Sequence, residues 1–166
     1  MAPIARVGRM GRSRGAAVIE FALVAMLFFT ALFAVFDFGY LFWVNLTMQH
    51  AVREGARVAV TGRQDLDPNP EPGNALQNRY DSALAQMQSQ SMGLWSKVSP
   101  VVSTQTIDGN GNLVALGANN FGAAGNIVVI TVTCTVPLLT PFTRPFFANG
   151  AYVFRVSATM RNETFT

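Results

Sequence analysis

Gly15, Ala16 and Glu20 are the residues whose types and spacing could do chemistry. Arg12 and Arg14 stand before them, and Glu20 is the only carboxylate in the first thirty-six residues. The residues around it are oily: residues 21–36 carry no charge and a single hydroxyl, that of Thr30. A carboxylate in hydrocarbon costs several kcal/mol unless it is neutralised or paired. A free amine is the simplest partner, and proteolysis between Gly15 and Ala16 would create one. Glu20 would then be the fifth residue of the new chain.

A secretory signal peptide carries small residues after its apolar core, in an A-x-A-like pattern. After Leu32 the chain reads FAVFDFGYLFW, which is bulky and offers no such site. A cut after Gly15 would instead precede the apolar stretch and leave it attached to the mature protein. The amine at Ala16 can meet Glu20 within the chain or across to a neighbouring subunit, where it would set axial register. The plainer reading puts Glu20 at headgroup level, where its charge costs little.

The elements that must position these groups follow from hydropathy. Half of the 166 residues are hydrophobic and 13% are charged, against about 25% charged in ordinary soluble domains. Residues 16–36 form a helix of roughly 32 Å at ~1.5 Å per residue, about one bilayer core. No proline occurs between Pro3 and Pro68, so one helix is expected from Ala16 to Thr61, with Gly39 and Gly55 as its weak points. A break near Gly39 and a separate soluble helix is the alternative. Beyond Asp37, Tyr40, Phe42 and Trp43 suit a membrane–water interface. Leu41, Val44, Met48, Ala51, Gly55 and Ala59 then recur at steps of three and four, while Asn45, Gln49, Arg53 and Arg57 fall on other faces. That pattern is an amphipathic helix docked along one side, with the chain's own C-terminal region as partner. The chain divides into a basic leader (1–15), a transmembrane segment (16–37), an amphipathic continuation (38–61) and an α+β domain (62–166).

Residues 62–74 read as a Pro/Gly/Asp linker, and a second helix follows over residues 75–92 with Leu76, Tyr80, Leu84 and Met87 on one side. A hairpin turns at residues 108–112. In residues 127–137, Val128, Ile130, Val132, Cys134 and Val136 alternate with Val129 and three threonines. In the last strand Tyr152, Phe154, Val156, Ala158 and Met160 alternate with Val153, Arg155, Ser157 and Thr159. These strands predict a small antiparallel sheet of three or four strands with one face free to cover the long helix.

The pI of about 9.6 does not mark a nucleic-acid binder. Arg6, Arg9, Arg12 and Arg14 supply the excess, and residues 16–166 carry eight basic and nine acidic side chains. No basic stripe remains to follow phosphates. A positive flank beside an apolar helix places that flank in the cytoplasm. Cys134 is the lone cysteine and His50 the lone histidine, so neither a disulfide nor a zinc cage can be built within the chain. Cys134 reads as a small buried hydrophobe. DGNGN at residues 108–112 lacks the glycine and late glutamate of a calcium loop. No catalytic set, cofactor motif or metal site is legible, and the expectation is of a non-enzyme.

Basic leader, glycine, four largely apolar residues, glutamate and long apolar helix together resemble a type IV prepilin junction. A membrane-embedded prepilin peptidase cuts that family after the glycine. The matching positions are Gly15, Ala16 and Glu20, and Ala16 stands where major pilins often carry phenylalanine. RGAAVIEFALV followed by FDFGYLFWVNLTMQHAVREGARVAV is similar to the TadE-like minor pseudopilins of the tight-adherence (Flp) pilus system, and residues 158–163, ATMRNE, fit loosely. The resemblance implies a pilin-like fold and an inner-membrane anchor with a cytoplasmic N-terminus and a periplasmic domain. Its implied partners are the prepilin peptidase, other minor pseudopilins, the major Flp pilin, the inner-membrane assembly platform and the lipid bilayer. The implied role is assembly or priming of a pilus used for adhesion and biofilm, with incorporation into the extracellular pilus as one outcome. Asp37 near the far membrane edge either pairs with a partner's arginine or marks the interface. Arg53, Glu54 and Arg57 form either a docking box or a solvated face, with Glu54 and Arg57 spaced to meet. The competing reading is an uncleaved single-pass anchor whose domain binds a ligand or an envelope partner.

Overall fold

The computed structural model describes residues 12–165, with side chains from Gly15 onward. Residues 1–11, which hold most of the basic leader, and the side chains of Arg12 and Arg14 lie outside the described residues. Helix α1 runs unbroken over Arg12–Val60. It continues through both Gly39 and Gly55, and it starts before Ala16, so Gly15 lies inside the helix rather than ahead of it. The arginines, serine and alanines around Gly15 are compatible with helix, and one glycine costs only about 1 kcal/mol there.

Two halves of α1 differ in what they touch. The first half is long and apolar enough to cross a membrane and has none of its most apolar window buried. From Leu41 onward one stripe is inside: Leu41, Val44, Met48, Val52, Ala56 and Ala59 are buried. That half packs against α2 (Ala75–Gln90) and against the sheet.

The sheet has four antiparallel strands, β1 (Val101–Ile107), β2 (Leu113–Ala115), β3 (Ile127–Pro137) and β4 (Ala151–Arg161), in the order β2-β1-β3-β4. Its register explains why one face is dry. Ile130 lies opposite Ala158, Val132 opposite Val156 and Cys134 opposite Phe154, and all six are buried. Because side chains alternate across a pleat, the neighbouring pairs Thr131–Ser157 and Thr133–Arg155 face outward. The inward face covers α1, which gives the α+β arrangement of a long helix on a small antiparallel sheet. Asp108 closes the β1–β2 hairpin: its backbone N–H donates to the Asn112 carbonyl (2.9 Å), and its carboxylate accepts the backbone N–H groups of Asn110 (2.9 Å) and Asn112 (2.8 Å).

Helix α2 departs from the sequence reading. Leu76 is exposed, and the buried residues are Asn78, Arg79, Ser82, Ala83 and Met87. A face of leucines would hold α2 away from α1. The small Ser82 and Ala83 instead let the helices approach at Gly55, where a side chain would collide with Met87 and the Ala83 backbone. Small residues at a crossing permit close contact, and the buried Asn78 and Arg79 beside them are tolerable because they are hydrogen-bonded, whereas the Ser82 hydroxyl has no partner among the described residues.

Candidate functional site

Gly15, Ala16 and Glu20 lie on an exposed stretch of α1. Among the described residues nothing stands within 4 Å of where a Gly15 side chain would be. Among the described residues Glu20 has no ion-pair partner; the one ion pair among them joins Arg63 to Asp65. Ala16 and Glu20 are four residues apart on one helix, and such positions share a face, with Cβ atoms about 5–6 Å apart. A charged amine at Ala16 would lie within reach of the carboxylate.

Asp37 lies at the junction of the two halves of α1. It is 2% exposed and has no basic partner among the described residues. The hydroxyls of Thr140 and Thr143 both donate to its Oδ2, and the backbone N–H of Thr140 donates to Oδ1 at 3.2 Å. Both threonines belong to the β3–β4 connection. Asp37 therefore ties that connection to α1, a role neither sequence reading of it contained. The signal was the TPFT run at residues 140–143, legible only once the fold brings it across more than a hundred residues of chain. One turn before Asp37, the Phe33 ring stacks on Phe142 of the same connection, with centroids 5.8 Å apart and planes 4° apart.

At the other end of α1, Arg79 closes the structure. Its Nε donates to the Ala59 carbonyl (2.7 Å), Nη1 to Gly122 (2.7 Å) and Nη2 to Phe121 (2.9 Å). The guanidinium also lies over the Phe165 ring, 4.5 Å from its centroid. Burial pushes its pKa down to about 10, so it stays a cation at neutral pH, satisfied by carbonyl dipoles and a ring face rather than by a carboxylate. Asn162 shares the arrangement, donating to Phe121 (2.8 Å) and Ala123 (2.8 Å). Gly62 follows α1 with φ of 71°, and Phe165 occupies the space a side chain there would need. Together these contacts fasten the C-terminal segment over the end of α1.

Arg53 and Arg57 are exposed and Glu54 is half-buried. Glu54 and Arg57 form no ion pair, although the spacing allows one. His50 is exposed and Cys134 fully buried. Among the described residues no group of His, Cys, Asp and Glu could hold a metal ion.

The fold and this geometry define an α+β protein carried on an apolar helix that its own domain leaves bare. The apolar helix suggests anchoring in a membrane. Residues 15–57 match the family model for TadE-like proteins, which points to a protein associated with the Tad pilus. The match begins at Gly15 and ends three residues before α1 does. It spans the bare half of the helix and most of the docked half, and it leaves residues 158–163 outside. No curated protein and no solved structure matches the chain.

Proposed function

We propose that the chain is a minor pseudopilin of the tight-adherence (Flp) pilus. It is cut by a prepilin peptidase between Gly15 and Ala16 and held in the inner membrane with its domain in the periplasm. There it serves, without catalysing a reaction, in assembly or priming of a pilus for adhesion and biofilm. The observation that carries this reading is the coincidence of the TadE-like segment with a helix that is naked over its first half and fastened to a domain over its second. A helix with one free apolar half is built to pack on other helices or on lipid. Other minor pseudopilins, the major Flp pilin and the assembly platform are the partners this geometry suits. The exposed Gly15–Ala16 bond supports the processing step, and the spacing of Ala16 and Glu20 supports pairing of the new amine within the chain or between subunits.

The mature N-terminus tests it. Intact mass and N-terminal sequencing of the protein from hosts with and without the peptidase should show Ala16 as first residue only in the former. Gly15→Ala should leave the leader attached. Glu20→Ala should be cut normally yet reduce the number of pili. Recovery of functional protein with its leader joined would favour an uncleaved anchor instead. An open groove of about 700 Å³ on the outer sheet face, lined in part by Ser103, Thr131, Thr133, Arg155 and Ser157, gives that reading a binding surface.

A further inference from the structure

The β3–β4 connection is inside out for a loop in water. Its threonines turn inward: Thr140 and Thr143 are spent on Asp37, while Arg144, though exposed, donates its Nε to the Leu138 carbonyl at 3.1 Å. The stem of Arg144 lies on Gly150, whose φ of 65° excludes most other residues and where a β-carbon would be 3.4 Å from that stem. Leu138 is buried and Phe147 packs on the core, but the connection's three other large apolar side chains turn outward. Leu139 is 56% exposed, Phe142 58% and Phe146 81%. Loops facing water carry the opposite arrangement, because their polar groups gain from solvation and their apolar ones do not.

Part of the backbone follows the same logic. Hydrocarbon and the dry part of the interface penalise every unpaired N–H. Pro141 and Pro145 have none to pair. Leu138 donates to Gly150, Phe146 to Thr143 and Phe147 to Arg144, while Thr140 donates to Asp37. Level matters too. Phe142 reaches back along α1 to stack on Phe33, and with Met26, Phe29 and Thr30 it bounds an apolar groove of about 360 Å³. The exposed apolar surface of α1 does not stop at this level. Phe38, Phe42 and Trp43 are also exposed, beyond Asp37. Trp43 is ten residues past Phe33, about 15 Å along the helix at ~1.5 Å per residue. A bilayer that wets those aromatic rings also covers Phe142.

We infer that residues 138–147 are a second membrane anchor. Leu139, Phe142 and Phe146 insert among the acyl chains and headgroups of the leaflet nearest the domain, beside the transmembrane helix, and Asp37 holds the loop in place. The inference rests on the reading that α1 spans the membrane. Two attachments fix the tilt and rotation of the domain on the bilayer, which one helix alone leaves free. Aromatic side chains at the interface are suited to that task.

Depth-dependent quenching tests it in the full-length chain, reconstituted in vesicles of phosphatidylethanolamine and phosphatidylglycerol. A single nitrobenzoxadiazole label is placed at Phe146→Cys, at Leu27→Cys in the bare helix, and at Asn110→Cys in the hairpin turn at the far end of the sheet. Native Cys134 is fully buried and burial pushes its thiol up to about 11, so labelling goes to the new cysteine. At Phe146 a shallow doxyl lipid should quench several-fold more than aqueous iodide, as at Leu27, with the order reversed at Asn110. Leu139→Cys repeats the measurement should Phe146→Cys fold poorly. Lipid quenching at Leu27 with iodide quenching at Phe146 overturns the anchor and leaves the spanning helix standing. Iodide quenching at both overturns the spanning reading and the anchor with it. A Phe146 label reached by neither quencher means that protein covers the loop, which also overturns a lipid contact.

Discussion

Gly55 of α1 and Met87 of α2 occupy touching positions: a β-carbon on Gly55 would overlap Cγ of Met87 and stand 2.8 Å from the Ala83 carbonyl oxygen. The side chain of Met87 can swing aside, but the backbone of Ala83 can do so only by moving α2. Gly55→Ala gains up to about 1 kcal/mol of helix propensity and incurs overpacking of about 1–3 kcal/mol. The net effect should be destabilising, with a lower thermal midpoint of the detergent-solubilised chain. Met87→Ala in the same background should recover part of the loss. A midpoint unchanged or raised by Gly55→Ala would show that the crossing has slack.

Arg79 serves three carbonyls at once, which a lysine cannot reproduce because its head is a compact point charge without the planar fork. Arg79→Lys should destabilise the domain by about 2–4 kcal/mol, since the buried Gly122 carbonyl is left unpaired and those of Ala59 and Phe121 lose their charged donor. Thermal or urea unfolding measures it. Protease cleavage near residues 119–126 should rise at the same time, because Arg79 and Asn162 are what hold that loop. A loss below about 0.5 kcal/mol, the range of ordinary surface changes, would remove Arg79 from this role.

Asp37→Ala should free the β3–β4 connection without unfolding the sheet. The Thr140 N–H and the two threonine hydroxyls lose their acceptor, a local cost of about 1–3 kcal/mol. Amide exchange at Thr140 should quicken by one or more orders of magnitude while the amides of β3 keep their protection. Asp37→Asn, which retains one side-chain oxygen, should fall between. Equal exchange in wild type and both variants would mean that the loop is held by Phe142 on Phe33 and not by the carboxylate.

The hairpin should respond to acid. The backbone N–H of Asn112 first, and that of Asn110 after it, hold the Asp108 carboxyl below its ordinary value of 3.8. A depressed folded-state value means that the turn's stabilisation is full above the unfolded value, about 3.9, and is lost as pH falls through the folded one. Amide shifts of Asn110 and Asn112 should therefore titrate with a midpoint under 3.8, and Asp108→Asn should abolish the transition. A midpoint at or above 3.8 would contradict the turn geometry.

Local pattern in the sequence reached a good way into this protein. Twenty-one residues, 16–36, apolar but for Glu20 and Thr30 and without a proline, dictate a helix long enough for a bilayer, and the three-and-four spacing from Leu41 to Ala59 dictates which side of its continuation is covered. Strict alternation in residues 127–137 and 151–161 dictates two strands with one dry face each. These are properties of a few neighbouring residues, and packing had only to agree with them. The Gly15–Ala16–Glu20 motif is equally local, and the structure adds to it mainly that the bond is exposed.

Tertiary structure decided everything that depends on partners distant in sequence. The apolar side of residues 75–92 marked only part of the buried face of α2: Met87 is buried and Tyr80 packs on the core, but Leu76 is exposed, because close approach at Gly55 selects small residues and because Arg79 lies over the end of α1. A buried arginine satisfied by three carbonyls has no sequence signature: its acceptors are backbone oxygens, which every residue carries. Asp37 reads as a membrane-edge charge until residues 140–143 arrive from the far side of the sheet. The outward turn of Leu139, Phe142 and Phe146 is likewise invisible in a proline-broken run, since only the fold determines which side of a loop faces the protein. Periodicity records what each element does with its own faces, and the long-range hydrogen bonds that close the domain are fixed only when those faces meet.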